Sequence, residues 1–302
     1  MLGWAGRWPN PSDLFHCGTT PAIRVINTER FAPMLPAKNE ISELRRIAIF
    51  GGIYSNHLAL QAALRDMRNR EVDACFCLGD LGALGSLPDL VFPLLQEAKV
   101  QCIQGNYDNS IGNDLPDCRC GYTDPRDNHF ARISYDYTLN YTSQENRRYM
   151  RELPQQIRIQ LGKYRLLLCH GSPRRMNEFL WESTTSTHFL NYLAHEYEAD
   201  VILATHTGIK WHRQLSRDRH FVNVGVLGRP ENDGRTNVWY TILEAKPNLT
   251  VTFIPVEYDY RRLAEEMRNE RLPEEFVATI LTGWWTTCLE ILPAKERCRG
   301  KF

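Results

Sequence analysis

From Arg46 onward the chain alternates short apolar runs with amphipathic ones. RIAIF (46–50) stops at Gly51 and Gly52 and predicts a buried strand. NHLALQAALRDMRNR (56–70) sets Leu58, Ala62 and Met67 at helical spacing. ACFCLG predicts a second buried strand, PDLVFPLLQEA a helix opened by Pro88, and VQCIQG a third strand. Further strands are expected at QIRIQL, YRLLLCH, DVILAT, HFVNVG, TNVWYTILEA and LTVTFIPV, with helices at 186–197, 259–269 and 273–283. Strand, loop and helix in alternation imply a βαβ sheet, an α/β fold whose functional loops leave the C-terminal ends of the strands. The polar stretch from Asn113 to Asp136 reads as a long ordered loop able to cover a cleft.

Residues 1–40 lack sustained periodicity and are expected to form an irregular arm that packs through Trp4, Trp8 and Phe15. The main domain is placed at 41–283 and a C-terminal tail at 284–302. With 302 residues, 43% of them hydrophobic, the chain can form one large core. Its 36 basic and 36 acidic residues cancel without forming blocks, so nucleic acid is not the expected partner. No apolar stretch reaches signal-peptide or bilayer-spanning length, and a cytoplasmic location is expected, with no membrane partner. Nine cysteines, several of them inside apolar runs (Cys75, Cys77, Cys102, Cys169), read as reduced core residues, and disulfides are not expected.

Five polar segments follow predicted strands: GGIYSN (51–56), GDLGALG (79–85), GNYDN (105–109), CHGSP (169–173) and THTG (205–208). Loops on one edge of a sheet converge, so these residues are expected to share a cleft. Asp, Asn and His meeting there suit a transition metal such as Mn, Fe or Zn.

In order and spacing, the five segments resemble the blocks of the calcineurin-like metallophosphoesterases, D-x-H-G-N, G-D, G-N-H-[DE], H-G and G-H-x-H, in the bacterial branch similar to small phosphodiesterases. The resemblance covers about residues 46–283. It implies a sandwich of two mixed β-sheets flanked by helices, and a site for two metals. One metal set is present whole: Asp80, Asn106, His170 and His206 stand at the matching positions. The other is degenerate, with Gly52 for the Asp, Tyr54 for the first-block His and Gly208 for the final His. Tyr107 replaces the family's transition-state His, which leaves Asp108 to bond locally instead of orienting an imidazole.

Two-metal hydrolysis needs both ions to clamp the attacking and leaving oxygens about 3.5–4 Å apart. Glycine offers no ligand, and a phenol with a reference pKa of about 10 is a poor one at neutral pH. The expectation is therefore an altered, mononuclear site holding one divalent or ferric ion (Mn, Fe or Zn) and binding or slowly hydrolysing a phosphorylated or other anionic small molecule. Tyr107 is then a hydrogen-bond donor to developing charge. Two other readings stay open. One is an inactive pseudoenzyme acting as a regulatory or protein-interaction module, with Trp284 and Trp285 of the tail as a partner surface. The other is an active binuclear phosphodiesterase with replacement ligands, for which His16, Cys17 and His57 are candidates. Arg174 and Arg175 after the His-Gly-Ser-Pro turn, and Arg229 after VNVGVLG, are candidate anion contacts. Cys118 and Cys120 lack the second pair of a zinc knuckle and read as structural loop cysteines.

Overall fold

The computed structural model describes residues 44–298. The arm, with Trp4, Trp8, Phe15, His16 and Cys17, lies outside the described residues.

Among the described residues the chain forms ten strands and nine α-helices. The first part runs β1 (Arg46–Phe50), α1 (His57–Asn69), β2 (Ala74–Cys77), α2 (Val91–Glu97), β3 (Gln101–Cys102), α3 (Asn106–Gly112), α4 (Pro125–Tyr141) and α5 (Gln144–Glu152). The second runs β4 (Ile157–Leu161), β5 (Tyr164–Leu168), α6 (Thr187–Glu196), β6 (Val201–Ala204), β7 (Trp211–Gln214), β8 (His220–Asn223), β9 (Val238–Ala245) and β10 (Leu249–Val256). Helices α7 (Tyr260–Asn269), α8 (Glu274–Thr282) and α9 (Ala294–Arg297) close the chain.

The strands make two five-stranded mixed sheets, ordered β10-β9-β1-β2-β3 and β4-β5-β6-β8-β7. In the first sheet β1, β2 and β3 are parallel, β9 is antiparallel to β1, and β10 is antiparallel to β9; in the second β5, β6 and β8 are parallel and β4 and β7 antiparallel to them. The sheets pack face to face. Ile47, Ile49, Phe76 and Leu78 of one side meet Leu166, Leu168, Leu203 and Val222 of the other in a single buried cluster. Alternation along β5 sends Leu167 and Cys169 to the outer face, under Leu190 and Leu193 of α6. Burial on both faces is why these strands read as unbroken apolar runs. The fold is the two-sheet α/β sandwich flanked by helices that the family resemblance implied.

Two expectations are corrected. The loop from Asn113 to Asp136 ends at Asp124, whose side chain caps α4 by accepting the Arg126 amide, with Pro125 opening the helix. Its buried face, including Phe130, Ser134, Tyr135 and Thr138, carries polar residues, which hid the helical period. A disulfide is present: Cys118 and Cys120 are bonded to each other, brought together by a turn in which Arg119 has φ +49°. Cys75, Cys77, Cys102 and Cys169 are buried and not joined in disulfides.

The tail folds back on the domain. Trp285 is buried against Trp181, Ile209 and Leu292; its indole donates to the Pro230 carbonyl at 2.7 Å and its amide to Asn232 Oδ1 at 3.0 Å. Trp284 lies against Gly234. No helix among the described residues is long and apolar enough to cross a membrane.

Candidate metal centre and adjoining cavity

The parallel strands β1, β2, β3, β5, β6 and β8 all end at one edge, and the five polar segments leave from there. The two sheets touch at that edge so closely that a Cβ on Gly51 would fall 1.9 Å from Thr205 Oγ1 and 2.1 Å from the Gly225 carbonyl. Asp80 (φ +58°) and His206 (φ +62°) both adopt the left-handed backbone region, uncommon for such residues and typical of side chains held in place by their surroundings.

Asp80, His170 and His206 are buried, and their ligand atoms lie within 4.8 Å of one another, a group that could hold a metal ion. His170 Nε2 is 3.3 Å from Asp80 Oδ2, 3.2 Å from His206 Nδ1 and 3.1 Å from Asn106 Oδ1. The proton positions test whether a cation fits. His170 Nδ1 lies 2.6 Å from the Leu78 carbonyl, which only accepts, so Nδ1 carries a proton. The Asn106 amide NH2 donates to the Cys118 carbonyl at 2.8 Å, which turns Oδ1 inward. Four lone-pair atoms thus face one point and share at most a proton or two. A single ion with ligands about 2.1 Å away would satisfy all four, and one carboxylate, one amide and two imidazoles are a suitable set for Mn, Fe or Zn.

Without an ion the electrostatics rest on one internal pair. Burial opposes ionisation of His170, but the Asp80 carboxylate outweighs it and raises the His170 pKa. Burial likewise opposes the Asp80 charge, and His170 overcomes it, holding the carboxyl below its usual range. Burial and the neighbouring His170 charge push His206 down to about 3, leaving it neutral with a free lone pair.

The other candidate positions are also at this edge. Asp108 accepts the backbone amides of Asp80 (2.7 Å), Gly105 (2.8 Å) and Leu81 (3.0 Å), so it clamps the loop that carries Asp80. Burial, then the Asp80 charge, push its pKa up to about 6. The Tyr107 amide donates to Asp80 Oδ1 at 3.0 Å, while its hydroxyl reaches Ser134 Oγ at 3.1 Å. Burial raises the pKa of both Tyr107 and Tyr54, so both phenols stay protonated. A Cβ on Gly52 would meet the Tyr54 ring at 2.4 Å; one on Gly208 (φ +77°) would meet Arg229 Nη2 at 3.0 Å and the Trp285 ring at 3.1 Å. His57 is placed elsewhere, its Nε2 3.5 Å from Glu266. Arg174 is exposed and bound to Glu178; with Arg175 it lines a recess that also includes Gln155, Gln156 and His170.

Beside the centre lies a small cavity, partly open to solvent. Tyr54, Asp80, Asn106, Tyr107, His206 and Arg229 form its polar end, and Tyr122, Phe130 and Phe276 its apolar wall. Ser134, Phe276, Thr287 and Cys288 also line it, and sequence reasoning did not reach them because they sit on helices and in the tail and carry no strand-end signal. The Asp124-Pro125 cap was the one available cue to the α4 wall.

A two-sheet α/β sandwich with Asp, Asn and paired His at the strand ends defines a metal-dependent phosphoesterase fold. The sequence profile of the calcineurin-like phosphoesterase superfamily domain matches residues 46–246, and the chain belongs to that superfamily. It is 26% identical over 244 residues to an uncharacterized protein of Methanocaldococcus jannaschii, covering 76% of this chain and 94% of that one. A metallophosphoesterase from Sphaerobacter thermophilus superposes with TM-score 0.61 at 25% identity, over 80% of this chain and 100% of that one. A hypothetical protein from Pyrococcus horikoshii OT3 superposes with TM-score 0.69 at 22% identity, over 80% and 99%.

Proposed function

We propose that the protein is a metallophosphoesterase with an altered, one-ion site, which binds and slowly hydrolyses a phosphorylated small molecule. Asp80, Asn106, His170 and His206 would hold the ion. Bound there, a divalent cation supplies Lewis acidity toward a phosphoryl oxygen and acidifies water. The residues around it do the rest: Asp108 fixes the Asp80 loop, Cys118 orients Asn106 and Leu78 sets the His170 tautomer. Tyr107, kept protonated by burial, can serve as a hydrogen-bond donor and not as a base.

One observation carries this reading. Four acceptors converge on one point, whereas the groups beside Gly52 and Gly208 are a protonated phenol ring and a guanidinium. A guanidinium repels a second cation, which speaks against the binuclear alternative among the described residues. The pseudoenzyme reading drew on Trp284 and Trp285 as a joint surface, and burial of Trp285 removes that support. The test is hydrolysis of aryl phosphate mono- and diesters by the metal-loaded protein and by His170→Ala. Slow turnover that vanishes in the variant is expected; undiminished turnover in His170→Ala would refute the assignment.

A further inference from the structure

We infer that Arg229 is the anion-binding residue of the cavity, a fixed positive charge that receives a phosphoryl oxygen beside the one-ion site. The inference deepens the proposed function and rests on it.

Arg229 is 8% exposed, and its Nε has no hydrogen-bond partner. Among the described residues it forms no ion pair; its recorded contacts are the faces of Trp285, 3.5 Å from its Cζ to the ring centre, and of Tyr54, at 5.8 Å. A guanidinium carries five N–H donors, and burying one without a counter-charge is costly, so such a group calls for an anion. The one carboxylate lining the cavity, Asp80, lies 3.3 Å from His170 Nε2 and makes no ion pair with Arg229; burial raises the pKa of Tyr122 and Cys288, so these groups around the cavity stay neutral.

The placement is specific. The guanidinium lies over Gly208, two residues beyond His206, where a Cβ would come within 3.0 Å of its Nη2. Trp285 backs it from the tail, outside the stretch matched by the family profile, and is fixed in turn by Pro230 and Asn232. Arg229 shares the cavity with Asp80, Asn106 and His206, and Tyr122, Phe130 and Phe276 give it an aromatic side. The ligand class that fits is a phosphate ester whose anionic end meets the guanidinium and whose ester group is compact and apolar or aromatic. Arginine suits this task because its fork can present two parallel donors to one phosphoryl group.

The test is calorimetric titration of inorganic phosphate and of phenylphosphonate into full-length wild type, Arg229→Met and Arg229→Lys, each both metal-loaded and chelator-treated. Wild type should bind both probes, and phenylphosphonate more tightly. Arg229→Met should lose about tenfold or more in affinity in either metal state, and Arg229→Lys should fall between. Should Arg229→Met fail to fold, Arg229→Lys is read alone by the same criterion. Binding within about twofold of wild type in every folded variant would overturn the inference, as would absence of phosphate binding by wild type. Arg229-dependent binding in a protein that never takes up metal would remove the one-ion site and leave the Arg229 subsite standing.

Discussion

The carboxylate of Asp108 grips the backbone amide of Asp80 at 2.7 Å, and with the amides of Leu81 and Gly105 it ties two strand-end loops into one unit. The residue that follows Tyr107 therefore acts on the metal centre through the backbone. In Asp108→Asn one acceptor oxygen becomes a donor facing N–H groups. Denaturant unfolding should show a loss of about 2–3 kcal/mol, and metal affinity should fall with it.

Gly105 is a second such control point. A Cβ there would lie 2.3 Å from Asp80 Oδ1 and 2.9 Å from His170 Cε1, in the space between two proposed ligands. Gly105→Ala should weaken metal binding by about 10–100-fold while the far-ultraviolet circular dichroism stays that of the wild type. Unchanged metal affinity would mean that these two side chains do not act together.

The tail should behave as part of the domain. Trp285 fills a buried cluster with Trp181, Ile209 and Leu292, so Trp285→Ala should cost about 3–5 kcal/mol in denaturant unfolding. A loss below about 1 kcal/mol would mark the tail as loosely attached.

Acid stability should carry the signature of His57. Burial, reinforced by Arg262, lowers its pKa from 6.5 to about 4, so the folded protein keeps it neutral beside Glu266. As pH falls below 6.5 the unfolded chain takes up a proton that the folded chain refuses, and stability drops until the folded pKa is reached. The loss approaches about 3 kcal/mol by pH 4 and is absent above pH 7. His57→Gln should flatten that part of the pH–stability curve.

The central strands were legible because both of their faces are buried, so apolar runs such as RIAIF and YRLLL mark them directly. Their common edge followed from βαβ order, which is how Asp80, Asn106, His170 and His206 could be grouped from segments up to 126 residues apart, the span from Asp80 to His206. Less was visible where local chemistry overrides periodicity. Helix α3 begins at Asn106 itself and its first residues serve the site, so GNYDN reads as a loop. Strand β7, WHRQ, is an edge strand with a polar sequence. The Arg229 environment was out of reach because Gly208, Trp285 and Arg229 are brought together only by the return of the tail, a contact that neither composition nor spacing encodes.

The central claim, one ion held by Asp80, Asn106, His170 and His206 beside a guanidinium, is tested most directly by anomalous diffraction from metal-loaded crystals. A single peak among those four side chains, with none between Gly52 and Gly208, is the predicted result. A pair of peaks about 3.5–4 Å apart, sharing Asp80, would contradict it.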